Sequence, residues 1–464
     1  DRNKFNLLWE NCSEMNVYIQ QKYQDKKIFG KDLSNFKINS FDDLPEVDAD
    51  DGTLEINKLI NYQGYEEQQK DDAKIDTFQP IMDFSNFLLV VLKLTRMEEK
   101  SFDPVGFNLD DKDLIKEFDE KNKTKPIDSE FVKRFGFNLL MAKYLLDNYL
   151  VHHSNEDDTI ENNPWKLQYW QKEGKSGYLK NLGGESDSQY KLVQLLSMFE
   201  VSFTARQRKN YLFYCLLYLF NDNNRDIDNY SKFVSNLADK YFKDVYLVRS
   251  KLNEINTPIP GSFDTGILNN NKLDIEIYNK IFDFDTIYGD GNTRSKGVPL
   301  FIFNYLDYKL WEKYFDNLAG EKSKKNDTVR QKYFDEMGCS DFELKVLENF
   351  YQSRTRRSIE HYFPQANVND GKNALTEEQI NCLGNYAMIG SEVNSSGSNW
   401  SPKTKLDHYL DASGKIKQIS VASIKFMIMM RKCKDNQGPR EPGNEWTFED
   451  IKAHQAKMLK VLIL

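Results

Sequence analysis

Several things are scarce in this chain, and each scarcity closes off a class of protein. Five cysteines (Cys12, Cys215, Cys339, Cys382, Cys433) are spread over 464 residues, an odd number with no Cys-x-x-Cys spacing. That argues against a disulfide framework and against a zinc site, and it fits a reducing cytoplasm. No apolar run reaches membrane-spanning length. The longest, Phe87 to Leu92, is closed by Lys93 and reads as a buried helix. The opening residues Asp1-Arg2-Asn3-Lys4 contain no apolar signal-peptide core, so no export address is read. The pair Gly289 and Gly291, in Tyr288-Gly289-Asp290-Gly291, is followed by no Gly-Lys-Ser/Thr and reads as a turn, not a phosphate loop. Internal repeats and low-complexity tracts are absent.

What remains is the composition of a folded globular protein, 39% hydrophobic and 29% charged. The length calls for two or three domains. The net charge of −9 looks unsuited to a nucleic-acid partner, but the charge is segregated. Between residues 351 and 432, eleven Lys and Arg stand against seven Asp and Glu, and the acidic excess lies elsewhere, for instance at Asp42-Asp43 and Asp48 to Asp51. Apolar residues recur at helical spacing through Phe84, Phe87, Leu88 and Val91, then Phe131, Phe135 and Leu139, then Leu192, Leu195, Leu196 and Phe199. Tyr211 to Phe220 is apolar nearly all round and predicts a central buried helix. The expected fold is mainly α. Residues 1–75 read as an irregular, partly helical remnant of an N-terminal region, 76–317 as a helical domain, and 318–464 as a small ββα unit embedded in helices after a flexible link at Lys322 to Lys325. His152-His153 reads as a surface helix end rather than a metal pair, because adjacent helical residues point apart. His408 and His454 read as ordinary surface or helix residues.

One stretch carries chemistry: Arg354-Thr355-Arg356-Arg357-Ser358-Ile359-Glu360-His361-Tyr362-Phe363-Pro364-Gln365, followed by Leu383-Gly384-Asn385 and Asn394-Ser395-Ser396-Gly397-Ser398-Asn399. Glu360 and Asn394 offer oxygen ligands to a hard cation such as Mg²⁺ or Mn²⁺. His361 is a base able to take a proton from water near neutral pH. Asn385 is expected to support the site by tying the two strand loops together. Arg354 and Arg356, two apart on a predicted strand, share one face and are expected to meet a phosphodiester backbone, together with Asn399, Lys403 and Lys405. Strands are predicted over Arg356 to Tyr362 and Leu383 to Ile389. A short helix should run from the Ser398-Asn399 turn toward Tyr409, and Thr447 with Asp450 should form a capping box for a final packed helix.

The order Glu-His, Asn, Asn resembles the HNH, or ββα-metal, nuclease motif. Glu-His-x-x-Pro-Gln, Leu-Gly-Asn and Asn-Ser-Ser-x-Ser-Asn, with Lys403 and Lys405 beyond, resemble the C-terminal nuclease domain of GmrSD-type modification-dependent restriction endonucleases. The helix Phe303-Asn304-Tyr305-Leu306-Asp307-Tyr308 has a counterpart before the nuclease domain of that family. The resemblance implies a Mg²⁺-dependent DNA endonuclease of the bacterial cytoplasm, acting against foreign DNA, modified bases included, in restriction or phage defence. It also implies an N-terminal nucleotide-hydrolysing domain. Its Asp-Gly-Gln-Gln-Arg segment is absent and no nucleotide site is read here, so the chain, which opens without Met, is expected to be the C-terminal portion of a longer protein. Two alternatives stay open on the residues alone: a non-catalytic nucleic-acid-binding or scaffold module, and a nuclease acting on RNA or single strands.

Overall fold

The computed structural model describes residues 1–47, 77–119, 127–154, 163–203, 205–248, 258–259, 261–268, 299–319, 327–337, 345–364, 375–390, 400–411, 422–435 and 446–463. The Tyr288 to Gly291 turn and the Lys322 to Lys325 link lie outside them. The protein is mainly helical, with small two-stranded sheets. Among the described residues no helix is long and apolar enough to cross a membrane. The chain divides into two compact units. One comprises Asp1–Asn155, Trp165–Gln189 and Ala205–Tyr230, and the other Glu156–Pro164, Tyr190–Thr204 and Ser231–Leu464.

The first unit is built on α1 (Arg2–Ser13), α2 (Phe84–Arg96), α3 (Ser129–Tyr149) and α5 (Ala205–Asn221), the last following α4 (Asp187–Ser202) in the chain. Two of these start where an aspartate can accept an otherwise unpaired backbone N–H: Asp83 from Asn86 and Asp128 from Phe131, each at 2.8 Å. Helices α2, α3 and α5 pack together, and the apolar run Tyr211 to Leu216 on α5 is fully buried, as its all-round hydrophobicity predicts. Lys143 and Asp147, one turn apart on α3, form a buried ion pair at 2.6 Å. Lys143 Nζ also donates to Val17 O at 2.8 Å, and Asp147 accepts the Ile19 N–H at 2.7 Å, so the pair fastens the arm after α1 to α3. Two antiparallel ladders follow: β1 (His152–His153) with β2 (Trp165–Lys166), and the hairpin β3 (Gln168–Glu173) with β4 (Ser176–Asn181). Gly174 turns that hairpin with φ +62°, which a side chain would disfavour.

The second unit is helical around a third hairpin. Its elements include α6 (Ile227–Lys240, from Ser231 on), α7 (Leu300–Ala319), β5 (Arg356–His361), β6 (Tyr386–Gly390), α8 (Pro402–Tyr409), α9 (Ile424–Asp435) and α10 (Phe448–Ile463). Helix α7 packs on α9 and α10. Its Phe301 stacks on Tyr246 at 4.8 Å and on Phe203 at 5.7 Å, while Asn304 donates to Ser202 Oγ at 3.0 Å. The expected capping box opens α10: Asp450 accepts the Thr447 N–H at 3.0 Å and Thr447 Oγ1 accepts the Asp450 N–H at 3.3 Å.

One expectation is corrected in the first unit. His152 and His153 do not end a surface helix; both are buried in β1. His152 stacks on Phe78 with centroids 3.7 Å apart, and its Nε2 lies 2.6 Å from Asp147 O. Its Nδ1 is buried without a hydrogen-bond partner among the described residues. Burial therefore lowers the His152 pKa to about 4. A depressed histidine pKa stabilises the fold fully above the unfolded value near 6.5 and loses that contribution as pH falls toward the folded value. Unfolding midpoints of the parent should fall between pH 7 and pH 5 by an amount corresponding to about 2 kcal/mol from this group. A His152→Gln variant should show a correspondingly shallower slope; equal slopes for the two proteins would contradict the assignment.

Candidate active site

The β5–β6 hairpin pairs antiparallel, with Ile359 opposite Met388, Glu360 opposite Ala387 and His361 opposite Tyr386. A register irregularity between Arg356 and Ser358 splits the arginines: Arg356 turns in and Arg357 out. Helix α9 starts directly off β6, with Ser423 N–H donating to Met388 O at 3.1 Å, while α8 packs on α9.

Asn385, fully buried, closes the loop end of the hairpin. Its Oδ1 accepts the Phe363 N–H at 2.8 Å, and its Nδ2 donates to Phe363 O and Ile380 O, both at 3.0 Å. One amide thus joins the segment leaving β5 to the segment entering β6. Gly384 beside it sits against α10. A Cβ there would lie 2.3 Å from Ile451 O and 2.9 Å from Gln455 Cβ, and the Gly384 N–H donates to Gln455 Oε1 at 3.0 Å. Leu-Gly-Asn is therefore a packing unit: Leu383 is buried, Gly384 permits the helix to approach, and Asn385 spends its whole amide on backbone.

At the end of β5, His361 Nε2 lies 2.8 Å from Asn381 Oδ1, and its ring meets that of Tyr386 edge-on at 4.7 Å. The Tyr386 hydroxyl donates to the same Asn381 oxygen at 3.3 Å. With Nε2 as the N–H donor, the imidazole carries its basic lone pair on Nδ1. The neighbouring Glu360 is buried, and Lys405 Nζ of α8 lies 2.6 Å from its Oε1. Lys405 is itself only 1% exposed and donates to His361 O and, at 2.9 Å, to Tyr362 O. Burial pushes the Glu360 carboxyl up and the Lys405 ammonium down, and each group opposes the other's shift.

Beneath the hairpin lies a second buried polar layer. Arg356, 1% exposed, donates to Ala422 O at 2.9 Å and to Tyr351 O, with its guanidinium 4.7 Å from the centre of the Phe350 ring. Lys425 Nζ donates to Tyr386 O, and its backbone N–H reaches Asp307 Oδ1 of α7 at 3.1 Å. Burial lowers the Lys425 pKa to about 7 and raises that of Asp307 to about 6, the latter opposed by Arg356. His454 of α10 is buried within the field of Lys425, Lys432 and Lys457. Its two ring nitrogens have no hydrogen-bond partner among the described residues, and burial holds it well below the ordinary histidine range.

The structure thus brings Glu360, His361, Asn385 and Lys405 together, while Arg354 is half-buried just before β5 and Lys403 is exposed on α8. Asn394 and Asn399 lie outside the described residues. The alternation expected to aim Arg354 and Arg356 together at a nucleic-acid backbone is corrected. Strand β5 begins at Arg356, whose guanidinium points inward to backbone carbonyls. Lys405 is likewise an internal cation rather than a surface one. His454 is a helix residue, one of the two expectations for it, but it faces the core rather than the surface. Asn381 went unread in the sequence. Its signal was its place four residues before Asn385, on the same loop. Among the described residues no group of three or more His, Cys, Asp and Glu is gathered to hold a metal.

Replacing Gly384 by Ala should lower stability by about 1–3 kcal/mol, because the new methyl meets backbone rather than a yielding side chain. Denaturant titration followed by Trp446 fluorescence, a reporter next to α10, would measure this. An unchanged midpoint would contradict the packing argument.

No curated protein and no solved structure matches the chain. One family does: residues 292–461 match GmrSD restriction endonucleases, C-terminal domain. The matched segment, which carries α7, the β5–β6 hairpin and the helices after it, is similar to the C-terminal domain of GmrSD restriction endonucleases.

Proposed function

We propose that this segment is a metal-dependent DNA endonuclease of the HNH, or ββα-metal, type. The observation that carries the proposal is His361 at the end of β5 beside Glu360, its Nε2 tied to Asn381 and its strand loop locked by Asn385. With Nε2 donating to Asn381, Nδ1 would serve as the base. The match to a restriction endonuclease family supports phosphodiesters of DNA as the substrate.

The donor chemistry fits a hard divalent cation. Glu360 Oε1 is buried and, apart from the ion pair with Lys405, accepts no hydrogen bond among the described residues, and a carboxylate has capacity for more than one partner. Glu360 would hold Mg²⁺ or Mn²⁺, with Asn394 as a second oxygen ligand and water or substrate oxygens for the rest. When bound, the cation supplies charge for the phosphate and for the departing oxygen. His361 takes a proton from the attacking water. The water oxygen bonds to phosphorus as the bond to the leaving oxygen breaks, and that oxygen gains a proton from solvent. Lys405 holds the His361 and Tyr362 carbonyls, and the Glu360 carboxylate it pairs with would also hold the cation. Exposed Lys403 and half-buried Arg354 are the basic residues that would meet the phosphate backbone. Restriction or phage defence in a bacterial cytoplasm, with a separate nucleotide-hydrolysing N-terminal domain, is the biological setting this reading implies.

The Glu360–Lys405 pair also favours a second reading, a non-catalytic binding module in which the carboxylate is permanently neutralised. Nicking of supercoiled plasmid with Mg²⁺ or Mn²⁺ separates the two. The parent should cut, His361→Ala should lose about 10²–10⁴-fold in rate, and duplex binding should be retained. Glu360→Gln should abolish both cutting and the Mn²⁺-induced rise in melting temperature. Retained binding with no cutting by the parent under either metal would favour the module. Parallel RNA and single-stranded DNA substrates would decide the polymer.

A further inference from the structure

The first unit contains an open cavity of about 810 Å³ lined by Lys26, Lys31, Lys172 and Lys180, with Asp32 and Glu173. Its walls come from two segments far apart in sequence. Residues 22–37 hold five lysines against two aspartates, and residues 165–182 hold four lysines against one glutamate. The fold joins them directly: the Lys172 N–H donates to Asp32 O at 2.8 Å, and Lys172 Nζ to Gln24 Oε1 at 2.7 Å. In a chain of net charge −9, this is a segregated basic island.

Both acids of the cavity are occupied by local hydrogen bonds. Asp32 Oδ1 accepts the Ser34 N–H and hydroxyl at 3.2 and 2.8 Å, which holds its carboxyl below the usual range, and Glu173 accepts the Tyr178 hydroxyl at 3.1 Å. Among the described residues none of the four lysines forms an ion pair. Lys180 instead lies 5.5 Å from the centre of the Tyr178 ring. Four ammonium groups face only two carboxylates in this lining, and the excess positive charge gains free energy from a ligand that presents spaced negative charge. Most of the lining side chains end in a charged or amide group, with Leu33 and the Tyr178 ring as the exceptions among the larger ones, which disfavours a compact apolar ligand. Lysines, as flexible point charges, suit a backbone contacted without regard to sequence.

We propose that this cavity is a docking groove for the phosphodiester backbone of duplex DNA, separate from the candidate active site and independent of base sequence. The choice of DNA as the polyanion rests on the nuclease reading; the anion site itself does not. The test uses the full chain, a fluorescein-labelled 20-base-pair duplex of arbitrary sequence, and anisotropy in EDTA so that cleavage plays no part. A variant with Lys26, Lys31, Lys172 and Lys180 all replaced by Gln should bind at least about tenfold more weakly. Its slope of log K against log salt should be shallower by about 3–4, near 0.9 per lost phosphate contact. The four Lys→Arg replacements should restore binding, which separates lost charge from misfolding. A control carrying Lys100, Lys112, Lys116 and Lys232 as Gln has the same net charge and should bind as the parent does. An unchanged salt slope in the cavity variant would overturn the proposal. So would loss of binding to phosphatidylserine vesicles with duplex binding intact, which would reassign the groove to a membrane surface. Because the assay reads binding alone, it can succeed or fail whether or not the plasmid is cut.

Discussion

A two-stranded sheet surrounded by helices has too few neighbours to satisfy its own backbone. In this protein buried cations make up the shortfall. Arg356 donates to Ala422 O and Tyr351 O, Lys405 to His361 O and Tyr362 O, and Lys425 to Tyr386 O. A buried carbonyl without a donor costs on the order of 1–3 kcal/mol, and here five of them are met by charged donors, the stronger kind of hydrogen bond. The cations are in turn partnered, Lys405 by Glu360 and Arg356 by the field of Asp307. Removing one side of such a pair strands the other in a medium that does not solvate it, which is why the hairpin depends on the set rather than on any single contact.

This arrangement also fixes the candidate site. The carbonyls Lys405 holds belong to His361 itself and to the next residue, so the cation fixes the backbone from which the imidazole projects. Asn385 fixes the same segment two residues on, at Phe363, and Asn381 fixes the ring through Nε2. Three side chains from outside β5 thus determine where one imidazole points. Lys425 restrains Tyr386, the residue opposite His361, from below. Helix α7 contributes from farther away in sequence: Asp307 accepts the N–H of Lys425 in the first turn of α9, while Asn304 of the same helix ties α7 to Ser202 of α4.

Much of this was legible beforehand wherever the information is local. The helical periods of α2, α3 and α5, the two strands around Glu360-His361 and Tyr386, the short helix ending at Tyr409 and the Thr447–Asp450 capping box follow from spacing, and each spans only a few residues. Readings that failed all concerned where a polar residue faces. Arg356 and Lys405 look like surface charge in a run of basic residues, and His152, His153 and His454 look like surface histidines, yet all five are buried. A charged side chain can be internal only if the fold delivers a carbonyl or carboxylate to it, and that partner is tens of residues away.

The sequence by itself determined the secondary structure of the candidate site and the adjacency of Glu360 and His361 within it. Glu360 and His361 are neighbours on a strand whatever surrounds them, and an amide at Asn385 is available to any loop. Tertiary structure alone decided which basic residues face solvent and which are counterions. It also decided that His361 Nε2 meets Asn381, and that two lysine-rich segments far apart in sequence line one cavity. The physical reason is range. Propensity and periodicity act over one or two turns of chain, whereas the desolvation and pairing of charge are settled by whichever distant groups folding brings within about 3 Å.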